Sequence, residues 1–244
     1  MTFSAMLRVK NEARWIERVI RSLQPLCERI FVFDDHSEDN TAEICESLDC
    51  RVYRSPFTGV NEARDKNYLL QHVWHEVNPQ TRGADSQHWI VSVDGDEELE
   101  PNGPQLIKQA IMPGIHALTL KIVYLWDKPD QIRTDGIYGK FTRGSVFRMV
   151  SPFHAFRSTD GKANFHCGSV PKELLGQVRA CNARLFHYGY LEREDRIRKY
   201  AWYNKLDPRN RAEDFYFHMV QGDIPEIPAD RKLRHAGPLE LVPL

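Results

Sequence analysis

The sequence is poor in every feature that would take it out of the ordinary globular class. No run approaches the ~20 apolar residues needed to cross a bilayer. The most apolar stretch, His116–Trp126, is short and is broken by Lys121. Cysteine is scarce: Cys27, Cys45, Cys50, Cys167 and Cys181 are odd in number and form no C-x-x-C pair. That pattern argues against a disulfide framework and a paired zinc site, and for free thiols in a reducing cytosol. The opening MTFSAMLRVKNEARW lacks a basic region followed by an apolar block and a cleavage site, so no export signal is expected. Charge of one sign is missing too. With 33 Lys+Arg against 34 Asp+Glu, the net charge is -1, which excludes a broad phosphate-neutralising surface and hence nucleic acid as the expected partner.

Glycine-rich phosphate loops are also absent. There is no G-x-x-x-x-G-K-[ST] and no G-x-G-x-x-G after the first apolar run, which removes the P-loop and makes a dinucleotide fold unexpected. A calcium loop from Asp35 to Glu46 fails because Asn40 stands where that loop needs glycine. An aspartyl-phosphate phosphatase would carry Thr or Val two places after its Asp-x-Asp, where this chain has Glu98.

What is present is 244 residues, 41% hydrophobic and 27% charged, enough for one full core. Short apolar runs at Phe3–Val9, Arg29–Phe33, Arg51–Arg54 and His88–Val93 read as strands. Helical spacing of Trp15, Ile16, Val19, Ile20 and Leu23, a helix through Leu48 capped by Ser37 or Asp39, and a helix over Asn61–Val77 separate them. Pro101 suits the first position of a further helix to about Met112. This alternation predicts an α/β fold with a mainly parallel sheet covered by helices. Beyond Ala117, strand-like runs at Ala117–Trp126, Ser145–Val150 and Ala183–Tyr188 predict a smaller mixed region, followed by a charged helix at Glu192–Leu206. The expected division is one domain over 1–220, with halves 1–113 and 114–220, and a surface tail over 221–244.

Two early strands end in acidic groups, Asp34-Asp35 and Asp94-Gly95-Asp96. Parallel strands bring such ends to one edge, where open α/β sheets bind ligands. So many carboxylates together call for a cation, and oxygen donors suit a divalent metal.

The ordered motifs MLRVKNEARWI, IFVFDDHSEDNTAEI, NEARDKN, WIVSVDGDEEL and LFHYGY resemble family 2 glycosyltransferases of the GT-A fold, a Rossmann-like type. The resemblance implies transfer of a sugar from a nucleoside diphosphate donor, a UDP-sugar foremost, to a glycan, lipid-linked or peptide acceptor, with inversion. It implies Mn²⁺ or Mg²⁺ as cofactor. Leu7, Arg8, Glu12, Asp34, Asp35, Arg64 and Asp94 match nucleotide-lining positions, and Asp94, Asp96 and His187 match metal positions. The family usually has Arg-Asn where this chain has Arg64-Asp65. Glu173, then Asp160, are the candidate bases, while Trp126, Asp135, Tyr138 and His166 are candidates for acceptor or sugar contacts. Basic Arg196 and Lys199 on the charged helix could meet a diphosphate. The expected location is the cytoplasm, with the inner membrane face as a peripheral site. A nucleotidyltransferase, or a domain that binds nucleotide or glycan without turnover, are the alternative readings.

Overall fold

The computed structural model describes residues 1–77, 86–158, 166–207, 216–223 and 238–244. The chain forms two compact units, Met1–Lys121 with Thr142–Leu185, and Ile122–Phe141 with Phe186–Leu244.

The first unit is built on three parallel pairings. β1 (Thr2–Val9) lies between β2 (Arg29–Asp34) and β4 (His88–Asp94), and β3 (Arg51–Arg54) extends the sheet beyond β2. β1, β2 and β4 are near-continuous apolar runs because both of their faces are covered. Helix α1 (Ile16–Leu23) buries Ile16, Val19, Ile20 and Leu23, the stripe expected from their spacing. α2 (Thr41–Ser47) starts after Asn40 rather than at Ser37 or Asp39, and Asp39 Oδ1 instead accepts the Thr41 N–H. α3 (Glu62–Glu76) is capped by Asn61, whose side chain accepts the Arg64 N–H at 3.0 Å. Its Leu69, Leu70 and Val73 join Met6, Phe31, Phe33, Ile90 and Phe147 in the main core.

The helix expected at Pro101 starts later. α4 spans Gly103–Ala110 with Asn102 as its N-cap, and Pro104 takes the first-turn position that needs no N–H. On the other flank of β4, β8 (Thr142–Arg148) runs antiparallel, pairing Val91 with Val146, and then pairs with the first residues of β6 (Ala117–Trp126). β5 (Glu97–Leu99), which has no apolar alternation of its own, pairs with β9 (Val178–His187).

In the second unit the end of β6 pairs antiparallel with β7 (Lys128–Arg133). β10 (Leu241–Pro243), within the segment read from sequence as a tail, pairs antiparallel with Gln131–Arg133 of β7. Helix α5 (Arg193–Leu206) is the charged helix of the sequence. Among the described residues no helix is long and apolar enough to cross a membrane.

Candidate nucleotide and metal site at the carboxyl edge of the parallel strands

The strand registers bring the acidic ends together. Arg8 is level with Phe33 on one side and Asp94 on the other, and Val9 is level with Asp34. Just past these ends, Asn11 (φ 55°) and His36 (φ 55°) take left-handed backbone conformations that non-glycine residues seldom adopt. Side chains hold them there. Asn11 N–H donates to Ser37 Oγ at 2.9 Å, Asn11 Oδ1 accepts from Glu38 N–H at 2.7 Å, and His36 Nε2 lies 2.6 Å from the Phe57 carbonyl.

One half of the edge is an arginine–carboxylate chain. Arg8 donates to Asp35 Oδ2 at 2.5 Å and to Asp65 Oδ2 at 2.9 Å. Asp65, fully buried, accepts from Arg64 Nε through its other oxygen at 2.8 Å. Arg64 also donates to the carbonyls of Thr58 and Gly59, and its guanidinium lies over the Phe57 ring. Asp35 faces Arg8, whereas Asp34 points to Ser37 and Arg54 and leaves its buried Oδ1 without a hydrogen bond. Leu7 is buried in β1, and Glu12 donates its N–H to Thr41 Oγ1 at 2.8 Å.

The other half is acidic. Gly95 lets the Asp94–Asp96 segment pack closely on Glu12 and Val9, because a Cβ there would lie 2.9 Å from Glu12 Cγ and 3.0 Å from Val9 Cγ1. Asp96 and Glu97 are buried, and Asp94 is half-buried. Arg143 of β8 spans Asp94 Oδ2 at 2.9 Å and Glu97 Oε2. Nearby, the buried Lys66 ammonium lies 2.9 Å from Glu62. Burial opposes its charge, but Glu62 and then Asp94 hold its pKa above the ordinary lysine value. The Arg143 guanidinium likewise stays charged, since Glu97 and Asp94 outweigh its burial. Burial pushes the Glu97 carboxyl up; Arg143 opposes this, and Asp94 and Asp96 add to it. Arg143 thus offsets Asp94 and Glu97, and Lys66 offsets Glu62. Carboxylate oxygens such as those of Asp94 and Asp96 are the donors that Mg²⁺ or Mn²⁺ takes. Among the described residues no three His, Cys, Asp or Glu side chains converge as a ready-made ligand group.

Of the candidate bases, Glu173 is held by Arg157 at 2.9 Å and by the Ala155 N–H at 3.3 Å. Against the pull of burial, backbone N–H groups and Arg157 keep its carboxyl below the usual range. Asp160 lies outside the described residues. His166 precedes Cys167, whose N–H donates to Glu62 Oε2 at 2.7 Å and ties that loop to the start of α3.

The remaining candidates fall in the second unit. His187 accepts the Gly189 N–H on Nδ1 at 3.1 Å, which assigns any ligation to Nε2, and its ring lies against Tyr124 and Tyr190. Trp126 is buried, with the Arg133 and Arg196 guanidinium carbons 4.5 and 4.3 Å from its ring centroid. Asp135 clasps Arg133 at 2.7 and 3.0 Å, and Tyr138 is buried with its hydroxyl 2.6 Å from His218 Nδ1. Arg196 is committed to Asp127 and Asp223, and Lys199 sits over the Tyr190 ring. A groove along α1, lined by Arg14, Arg18, Glu98 and Pro101 among others, includes none of the expected site residues.

The sequence model described as Glycosyl transferase family 2 matches residues 4–124, the stretch that holds β2, β3, β4 and most of β1. This stretch belongs to glycosyltransferase family 2. A relative in Rickettsia bellii (strain RML369-C), described as an uncharacterized glycosyltransferase, is 25% identical over 205 residues, covering 82% of this chain and 64% of the relative. The chain therefore spans less than two thirds of that relative's length. Among solved structures, TarS of S. aureus shares 14% identity over 91% of this chain and 43% of its own, with a TM-score of 0.50. That likeness is one of fold, and the sheet and flanking helices of the family 2 domain are of the GT-A type. Glucosyl-3-phosphoglycerate synthase from Mycobacterium tuberculosis, solved with Mn²⁺, UDP and glucosyl-3-phosphoglycerate, shares 24% identity over 50% of this chain and 44% of its own, at a TM-score of 0.34.

Asp65, Lys66, Glu97 and Arg143 were not singled out by sequence. A signal existed for Asp65, an acid where the family usually has Asn, and for Lys66, a helical neighbour of Glu62 at i+4. None existed for Arg143, whose partners are distant in sequence.

Proposed function

We propose that the protein is a glycosyltransferase that moves a sugar from a nucleoside diphosphate donor, with UDP-sugars foremost, to an acceptor nucleophile by a single inverting displacement. The observation that carries this reading is the register that sets Arg8 level with Asp94 at the carboxyl edge, beside the Asp35 and Asp65 carboxylates. Asp35 is the acceptor for the base or ribose, and Arg8 and Arg64, pre-aligned by Asp65, supply donors at fixed positions. Asp94 and Asp96 would hold Mn²⁺ or Mg²⁺. When bound, that ion would neutralise charge developing on the departing diphosphate.

Glu173 is the candidate to take the acceptor proton as the nucleophile attacks the anomeric carbon. Asp160 is the second candidate for this role. The acceptor is a glycan, a lipid-linked glycan or a peptide. The cysteines Cys27, Cys45, Cys50, Cys167 and Cys181 are all free thiols, which supports a cytoplasmic location or the inner membrane face.

Thermal denaturation with UDP-, GDP-, dTDP- and CDP-sugars, each with and without Mn²⁺, tests the reading. One donor class should raise Tm in a metal-dependent way, and Asp96→Ala should abolish the increment while remaining folded. Absence of a shift with every donor overturns it.

A further inference from the structure

Arg143 is an unusual occupant of an acidic turn. Its two Nη groups go to different carboxylates, Asp94 and Glu97, while its buried Nε has no hydrogen-bond partner. A guanidinium kept for stability alone is expected to be fully satisfied when buried, since an orphaned donor is costly. The two ends of the clamp also differ. The Glu97 side chain is 1% exposed, whereas that of Asp94 is 36% exposed. One end is fixed in the protein, and the other is open to exchange.

The backbone delivers the guanidinium to this position. The β4–β8 register that pairs Trp89 with Arg148 and Val91 with Val146 leads, continued along both strands, to Asp94 opposite Arg143. On its other side β8 is bulged, its register with β6 shifting between Leu118 and Thr119, where the partner jumps from Val146 to Gly144. Such bulges re-aim side chains beside functional sites. Gly144 admits the close packing this needs, since a Cβ there would lie 2.9 Å from Val170 Cγ2.

We propose that Arg143 is an internal competitor for the cation position at Asp94, so that the site takes up a divalent ion and a diphosphate together rather than the ion alone. This rests on the donor-binding reading above. Before the donor arrives, Arg143 neutralises Asp94 and lowers the site's affinity for a bare cation. A diphosphate supplies new acceptors for the guanidinium, which then leaves Asp94 to the ion. The coupling is reciprocal, so each ligand tightens the other by the same factor.

Arg143 is therefore a positioning residue, and bare-metal binding exposes it. Mn²⁺ titrations followed by loss of the free-ion electron paramagnetic signal, with and without UDP, should show about tenfold tighter binding of Mn²⁺ alone to Arg143→Met than to the unaltered chain. UDP should then add less to Mn²⁺ affinity in the variant, and Arg143→Lys should fall between the two. Because Arg143→Met leaves Glu97 buried without its partner, Glu97→Gln and the double variant Glu97→Gln/Arg143→Met form a second pair. The double variant should bind Mn²⁺ more tightly than Glu97→Gln alone. Equal or weaker Mn²⁺ binding on removal of Arg143, in folded protein, overturns the proposal while leaving the donor reading intact. Mn²⁺ binding that survives Asp96→Ala, or no binding with or without UDP in any variant, removes the metal site and the proposal with it.

Discussion

Arg8 on β1 is joined to Asp65 on α3 by an Nε–Oδ2 hydrogen bond of 2.9 Å, and the same carboxylate accepts from Arg64. Asp65 thus aligns two guanidinium groups at the edge where the nucleotide is expected. Asn is the residue the family usually carries here, and it has nearly the same shape without the charge. Asp65→Asn should cost roughly 1.5–3 kcal/mol, the range for hydrogen bonds to charged groups. It should also weaken donor binding, because Arg8 and Arg64 lose their fixed orientation. Urea unfolding measures the first effect and UDP-sugar titration the second; stability and affinity both unchanged would show that Asp65 aligns nothing.

Gly95 separates the two aspartates because its missing side chain leaves room for Glu12 and Val9. Gly95→Ala places a methyl group inside contact distance of both, and overpacking of this kind costs about 1–3 kcal/mol. The expected outcome is a folded protein with a lower denaturation midpoint and weakened metal-dependent donor binding. A variant that binds donor as the unaltered chain does would mean that the Asp94–Asp96 turn tolerates displacement.

His88 gives a pH dependence whose sign is fixed. Burial, and then the charged N-terminus, push its pKa from 6.5 down to about 4. Its ring nitrogens instead contact Thr2 Oγ1 at 2.7 Å and Ser4 Oγ at 3.1 Å across the β1–β4 pair. The unfolded chain therefore binds a proton that the folded chain refuses between those values, so this contribution is complete above about pH 6.5 and is lost on acidification toward pH 4. Denaturant melts across pH 4–7 should show this slope, and His88→Gln should flatten it. An unchanged slope in that variant would assign the acid sensitivity to other groups.

How much of this was legible in sequence follows from where each interaction partner lies. RVYR and the Asn61-capped helix were legible from local chemistry, and so was the convergence of Asp35 and Asp94 once parallel pairing was assumed. β5, β7 and β10 were not. Glu97–Leu99 and Leu241–Pro243 are three-residue strands, and Lys128–Arg133 (KPDQIR) is polar and carries a proline. Their strand character is conferred by partners elsewhere in the chain. Pro101 was an acceptable helix start, but the helix begins after Asn102, with Pro104 in its first turn. Arg143 reads as one arginine among many, because only β8 pairing brings it to Asp94 and Glu97. Trp126 and Tyr138 suggested a sugar surface by residue type, whereas the structure buries both, Trp126 between two arginines.

The left-handed turns at Asn11 and His36, stitched to Ser37, Glu38 and Phe57, bear on the thermodynamics of ligand capture. Ordering a loose loop residue costs about 1–2 kcal/mol, and a flexible rim would charge that cost to every binding event. Here the rim is ordered by its own hydrogen bonds, and the cost belongs to folding. On the proposed reading, a nucleotide arriving at this edge would meet a preorganised cradle, and its binding entropy would reflect the release of water and the loss of its own freedom rather than the freezing of the protein.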